Sequence, residues 1–207
     1  MPKTVAIIQA RSTSKRLPGK MMMDIAGKPV LERVINRLKA VKVLAPQLEV
    51  DIVVATSTNK EDDLIEQCGQ KNCVKVFRGS ETNVLDRFYH CAIKYKADWI
   101  LRICGDCPLI SPLLVYGLLT KTPRKHYQAL AVNRGGIVDG QDAELFSFQE
   151  LERVYKRGEC DEHVTTKMRT AGSDAEDYGL PFDYKGVKLS LDNKDDMERL
   201  QNYVEFL

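Results

Sequence analysis

Val5-Ala6-Ile7-Ile8-Gln9-Ala10-Arg11-Ser12-Thr13-Ser14-Lys15-Arg16-Leu17-Pro18-Gly19-Lys20 is the stretch that decides how this chain is read. Val5–Ile8 is a short apolar run of the kind a buried strand needs. It opens into a loop that carries the cations Arg11, Lys15, Arg16 and Lys20, with Pro18 and Gly19 shaping its exit. Loops at the carboxyl ends of parallel strands are where α/β sheets bind their ligands. Cations gathered in such a loop suit a polyanion such as a nucleoside triphosphate. A solvated basic loop satisfies the same charge count. A P-loop is excluded, because Met21 follows Gly19-Lys20 and Ser14 stands where its first glycine belongs. No GxGxxG follows a strand-like run, so a dinucleotide fingerprint is excluded as well.

Outward from this stretch, apolar runs alternate with amphipathic ones. That order predicts an α/β fold with a mainly parallel sheet and helices on both faces. The strand-like runs are Val5–Ile8, Asp51–Ala55, Val74–Phe77, Trp99–Cys104, Ala129–Asn133, Ala143–Phe146 and Val187–Leu191. A first helix opens at Pro29 and buries Val30, Leu31, Val34, Ile35 and Leu38. A second starts near Asn59, with Glu61, Asp62 and Asp63 at its positive end. A third spans about Asn83 to Lys96. Ser111-Pro112 reads as an N-cap followed by proline at the first helical position, and a charged helix, Lys194–Phe206, closes the chain.

The 207 residues, 43% hydrophobic and 29% charged, allow one domain, residues 1–207, with a substantial core. A net charge of +2 makes no case for nucleic-acid or membrane partners. No run approaches the roughly 20 apolar residues that cross a bilayer, and no signal-peptide core is visible, so the expected location is cytoplasmic. Six cysteines in such a chain do not suggest a disulfide scaffold. Cys104-Gly105-Asp106-Cys107 has the CxxC spacing, but no convincing second pair makes a zinc site, and a redox dithiol stays open as the lesser alternative to buried thiols.

Asp106 and Asp192 each directly follow a strand-like run. Two strand-end carboxylates facing a basic loop suit Mg²⁺, which is held by one or two carboxylates plus substrate phosphates; either one alone also reads as a turn or capping residue. Arg78–Phe88 is a second strand-to-helix junction. It reads either as a helix capped by Ser80 or Thr82, or as a pocket for a pyrimidine edge. Val138-Asp139-Gly140-Gln141-Asp142-Ala143-Glu144, with Glu162-His163 downstream, offers acidic groups and a histidine suited to a hydroxylated or amino sugar.

Ala10-Arg11-x-x-Ser14-x-Arg16-Leu17-Pro18-Gly19-Lys20, with Ile25-Ala26-Gly27-Lys28-Pro29, resembles the signature of cytidylyltransferases that make CMP-activated acidic sugars, the CMP-KDO and CMP-neuraminate synthetases among them. Gly79-Ser80-Glu81-x-Asn83-Val84-Leu85-x-Arg87, Gly105-Asp106-Cys107-Pro108-Leu109, Asp139-Gly140-x-Asp142-x-Glu144, Glu162-His163-Val164-Thr165 and Leu191-Asp192-x-x-x-Asp196 are similar to the spore coat polysaccharide branch. The resemblance implies a Rossmann-like three-layer α/β/α fold of the glycosyltransferase-A-like, nucleotide-diphospho-sugar transferase type. It implies transfer of CMP from CTP to a sugar with release of pyrophosphate, Mg²⁺ on Asp106 and Asp192, and catalysis by Arg11, Lys20 and Asp106. Nucleotide contacts would come from Gln9, Ala10, Arg11, Ser14, Arg16, Lys20, Arg78, Ser80, Asn83 and Arg87. Sugar contacts would come from Asp139, Asp142, Glu144, Glu162 and His163, and a homodimer arm from within residues 161–188.

The chain departs from that branch at Val138, Gln141 and Cys160-Asp161, where proline, a hydrophobic residue and Asp-Arg are usual, so its acceptor can differ. Cys104 stands where Thr or Ser is common. A glycosyltransferase using a nucleotide sugar on the same scaffold, or a nucleotide-binding protein without turnover, are the alternatives. No Asp-x-Asp metal motif stands at a strand end to favour the former.

Overall fold

Unbroken burial along the central strand, Thr4 to Ile8, organises the computed structural model, which describes residues 2–120, 126–130, 137–158, 164–170 and 187–205. In chain order the elements are β1 (Thr4–Gln9), β2 (Asp24–Ile25), β3 (Lys28–Pro29), α1 (Val30–Leu44), β4 (Val50–Ser57), α2 (Asp63–Lys71), β5 (Lys75–Gly79), α3 (Val84–Lys94), β6 (Trp99–Cys104), α4 (Pro112–Thr120), β7 (Tyr127–Leu130), β8 (Ala143–Ser147), α5 (Phe148–Lys156), α6 (Thr166–Thr170) and α7 (Lys194–Glu205). The main sheet runs β5-β4-β1-β6-β8-β7. β5, β4, β1 and β6 are parallel, while β8 pairs antiparallel with both β6 and β7. β2 and β3 form a separate small hairpin.

Ala6 and Ile8 of β1 face one way, with Ile52 and Val54 of β4 and Leu101 and Ile103 of β6; helices α1, α2 and α4 cover them. Val5 and Ile7 face the other way, with Val53, Ala55 and Ile100, under α3, α5 and α6. Side chains alternate across a strand, so apolar residues at consecutive positions require two covered faces. The result is the expected three-layer sandwich.

The strand over Asp51–Ala55 extends to both sides, and Val74–Phe77 becomes β5 shifted towards Gly79. The expected strand Ala129–Asn133 starts earlier, at Tyr127, and its positions 131–133 lie outside the described residues. Asn83, rather than Ser80 or Thr82, caps α3, its side chain accepting from the Asp86 amide. Helix α5 has no counterpart in the sequence reading.

Val187–Leu191 is a correction. Its apolar alternation suggests a sheet strand, yet it makes one isolated bridge, Lys188 to Asp139, outside the main sheet. Gly140 lies at this contact. It has φ +92, and a Cβ there would lie 2.4 Å from the Leu189 carbonyl carbon and 2.5 Å from the Ser190 nitrogen. The Leu189 amide donates to the Asp139 carbonyl at 2.7 Å. Only glycine permits both the left-handed conformation and this backbone approach, and the ladder ends there.

Gly140→Ala should therefore lower stability by about 2 kcal/mol or more, through overpacking and a disfavoured φ together. Urea denaturation measures this; a change under about 0.5 kcal/mol would contradict the close approach.

Candidate functional site

Strand order reverses between β1 and β6, since the chain runs from β1 outward through β4 to β5 and then crosses to β6 on the opposite side of β1. Ligand crevices of open α/β sheets form at such a switch point, beyond the carboxyl ends of the strands. Both loops singled out from the sequence emerge here: Ala10–Gly19 after β1, and Gly105-Asp106 after β6. The Gly105 amide donates to the Gln9 carbonyl at 2.9 Å. A Cβ on Gly105 would come within 2.8 Å of that same carbonyl oxygen, so the two loops touch backbone to backbone.

Ser12 organises the basic loop. Its carbonyl accepts from the amides of Ser14 and Gly19, each at 2.9 Å, which closes the loop on itself. Its amide donates to Asp62 Oδ1 at 2.7 Å and its hydroxyl to the Glu61 carbonyl at 2.8 Å. Asp62 is buried and also accepts from Thr56 Oγ1 (2.8 Å), the Ser57 amide (3.0 Å) and Ser57 Oγ (2.6 Å). The loop is therefore tied to the end of β4. Leu17 packs its far side against Ile25, Val30, Leu109, Leu191 and Leu200. Sequence reasoning missed Asp62, because Glu61-Asp62-Asp63 reads as an ordinary acidic helix start.

Lys20 follows Gly19, whose φ of 71 turns the chain into a short 3-10 helix. Its side chain is 8% exposed. The Nζ donates to Asp106 Oδ2 at 2.5 Å and to the Leu191 carbonyl at 2.7 Å, and lies 3.4 Å from Asp192 Oδ1. Arg16 reaches Asp192 Oδ1 at 3.4 Å from the solvent side. Behind Asp192, Lys188 Nζ bridges Asp192 Oδ2 (2.9 Å) and Asp196 Oδ2 (2.7 Å). Arg199 pairs with Asp196 Oδ1 at 2.5 Å, and the Asp192 amide donates to Asp196 Oδ2 at 2.8 Å. Burial alone would raise the Asp192 carboxyl, but Lys188, Lys20 and Arg16 outweigh it and hold it below its ordinary value. Asp196 is held lower still, against its own burial, by Lys188 and Arg199.

A cavity of about 600 Å³ opens above this cluster. Of the residues singled out from the sequence, Gln9, Arg11, Ser14, Arg16, Lys20, Asp106 and Asp192 line it, joined by Lys15, Met21 and Thr82. A larger groove of about 800 Å³, along Val43, Leu44 and Leu113, is apolar, with Arg37 as the one charged side chain among its described lining residues. Cations and carboxylates meet in the smaller one, which is the candidate site.

Other expected site residues sit elsewhere. Arg78, expected as a nucleotide contact, donates here to Asp63 (2.7 Å), Glu66 (2.8 Å) and the carbonyls of Ser57 and Asn59. Glu144, expected as a sugar contact, has protein partners here. It is buried beside Arg102 (2.5 Å), and Tyr127 and Thr165 donate to it. Ser80 Oγ accepts from the Asn83 amide, shaping the junction from within. Arg87 is fully buried; Nη1 donates to the Ser80 carbonyl at 2.7 Å, while Nε and Nη2 have no hydrogen-bond partner among the described residues. Burial and then the nearby Arg11 pull its guanidinium down to about 10, still charged at neutral pH. Ala10 is buried and contributes backbone. Asp139 and Asp142 flank Gly140, whose amide donates to Asp142 Oδ2 at 3.3 Å. Gln141 bridges the Leu109 carbonyl and the Ser111 amide, a structural use for that departure from the branch. Glu162, His163, Cys160-Asp161 and most of residues 161–188 lie outside the described residues. The five described cysteines, including Cys104 and Cys107, are free thiols.

The donor set fits a hard divalent cation. Among the described residues no three His, Cys, Asp or Glu side chains gather as a metal cage. Asp106 and Asp192 instead turn oxygens towards one point, which the Lys20 ammonium marks. Two carboxylates plus substrate phosphates are the mode Mg²⁺ favours.

Comparison with known proteins shows the family. The cytidylyltransferase family model matches residues 5–173. An uncharacterized protein of Methanocaldococcus jannaschii is 34% identical, over 99% of this chain and 86% of its own length. The spore coat polysaccharide biosynthesis protein SpsF of Bacillus subtilis is 37% identical over 53% of this chain and 45% of its own. A solved cytidylyltransferase from Leptospira borgpetersenii superposes with a TM-score of 0.86 at 28% identity, covering 100% of this chain and 88% of the other.

Asp62 gives this site a pH signature. Burial opposes its charge, but hydrogen bonds from Ser57, Ser12 and Thr56 prevail and depress its pKa below 3.8. A depressed folded pKa stabilises the protein above the unfolded pKa, and that stability is lost as pH falls through the folded value. Thermal unfolding followed from about pH 7 to about pH 3 should show a smaller acid loss in Asp62→Asn than in wild type. Parallel curves would sink this assignment.

Proposed function

The chain belongs to the cytidylyltransferase family, and from that premise we propose that it transfers CMP from CTP to a hydroxyl of an acidic sugar and releases pyrophosphate. The observation that carries this reading is the meeting of Lys20 with Asp106 and Asp192 at the floor of a cavity walled by Arg11, Lys15 and Arg16. A homodimer, a cytoplasmic location and a role in surface polysaccharide synthesis come with the family resemblance and are part of the proposal.

In this reading the sugar hydroxyl oxygen attacks the α-phosphorus in line and releases its proton to solvent, a P–O bond forms, and the bond from the α-phosphorus to the oxygen bridging it to the β-phosphate breaks. Pyrophosphate leaves with that electron pair. Such transfers depend on positioning and charge neutralisation. Arg11, Lys15 and Arg16 neutralise the triphosphate from the loop, and Lys20 meets charge developing on the leaving pyrophosphate. Asp106 and Asp192 would hold Mg²⁺, which when bound polarises phosphate oxygens and lowers the pKa of a hydroxyl beside it. Ser12, tied to Asp62, anchors the backbone of the loop that carries these cations. Asp139 and Asp142 stand beside the segment that carries Asp192, and the proposal seats the sugar near them.

Pyrophosphate release, assayed with CTP, the other nucleoside triphosphates and a panel of acidic sugars, tests the reading. Release should require CTP and one acceptor class, and Asp106→Asn or Arg11→Ala should cost on the order of 10²-fold, about 3 kcal/mol. Full turnover by Asp106→Asn, or sugar transfer from a nucleotide sugar without pyrophosphate, would contradict it.

A further inference from the structure

Lys20 has two assignments in this reading that cannot hold at once. A lysine ammonium has three donors and no more. Here they are directed at Asp106 Oδ2 (2.5 Å), the Leu191 carbonyl (2.7 Å) and Asp192 Oδ1 (3.4 Å). All three acceptors belong to the protein, so in this arrangement no donor is left for a phosphate. The same ammonium stands where a divalent cation on Asp106 and Asp192 would stand, and the two positive charges cannot share those oxygens at such distances.

We propose that Lys20 is an exchangeable internal counter-ion that closes the metal position until nucleotide arrives. In the nucleotide-free protein it neutralises both carboxylates and keeps divalent cations off them. When triphosphate enters, its oxygens give the ammonium new acceptors, and Lys20 swings to them on its flexible four-carbon stem. The freed carboxylates then accept the cation that accompanies the nucleotide. An ammonium this enclosed does not leave its carboxylates without an anion to meet it, because a buried unpaired charge is strongly disfavoured. Asp192 does not need Lys20 to stay in place. Lys188 and Asp196 hold it from behind, at 2.9 Å and through the 2.8 Å amide contact. Arg16, 75% exposed, is too loosely held to close the position in the same way.

The substrate side of this inference rests on the proposed function, but its test needs no turnover. Mn²⁺ binding to nucleotide-free protein, followed by the electron paramagnetic resonance of the free ion, should be weak in wild type. Lys20→Met, with a neutral side chain of similar length, should bind Mn²⁺ about tenfold more tightly or better. Lys20→Arg, which keeps the charge, should stay weak, and adding Asp106→Asn to Lys20→Met should abolish the gain. Equal affinity in wild type and folded Lys20→Met overturns the proposal. A second measurement uses wild type alone: the ¹⁵N signal of the Lys20 ammonium should be unmoved by Mg²⁺ and shift on adding Mg²⁺ with the α,β-methylene analogue of CTP. A shift with Mg²⁺ alone overturns it too. Failure here leaves the pyrophosphate assay to stand or fall separately.

Discussion

Three segments far apart in the chain are held to one another by a single ammonium group. Lys20 reaches Asp106 across 86 residues, the Leu191 carbonyl across 171 and Asp192 across 172, and it does so almost wholly enclosed. Enclosure is what gives the contact its weight. Exposed ion pairs contribute little, while a buried charge stripped of its partners costs several kcal/mol. Each of the three segments is therefore constrained to deliver its oxygen, and the sheet is what lets it do so. β1 and β6 lie side by side in register, with Gln9 opposite Cys104, so the loops that follow them leave at the same height. Gly140 brings the third segment in by letting Leu189 and Ser190 press against its backbone.

Charge is sorted vertically around that contact. Carboxylates and the lysine lie at the floor, and Arg11, Lys15 and Arg16 stand on the wall, more open to water. Behind the floor, Lys188, Asp196 and Arg199 form a second ion-pair cluster that fixes Asp192 without using its Oδ1. Such a site is prepared for a ligand that carries both negative charge and a cation. Under the proposed function that ligand is a nucleoside triphosphate with its divalent metal.

Much of this was legible in the sequence, for physical reasons that differ by element. The buried strands announce themselves by apolar runs, since both faces of β1, β4 and β6 are covered. The cations after β1 and the aspartate after β6 are legible because position at a strand end already fixes where they go. What was hidden depends on contacts across the chain. Asp62 looks like any acidic residue at a helix start, and only the fold shows that it holds Ser12. Arg78 and Glu144 look like site residues because they neighbour motifs, yet their partners, Asp63 with Glu66 and Arg102 with Tyr127, use them in the framework. Val187–Leu191 has strand-like residues but meets a loop, and no local signal distinguishes the two. The isolated role of Gly140 likewise appears only once its neighbour is known.

In the proposed function, Lys20, Asp106 and Asp192 form one place shared by a cation and a triphosphate. A crystal structure of the protein with Mn²⁺ and the α,β-methylene analogue of CTP tests it directly, using the anomalous signal of the metal. The expected result is a manganese peak between the Asp106 and Asp192 carboxylates, with Lys20 turned onto phosphate oxygen. Manganese bound elsewhere, or Lys20 still seated on both aspartates beside a bound nucleotide, would contradict it.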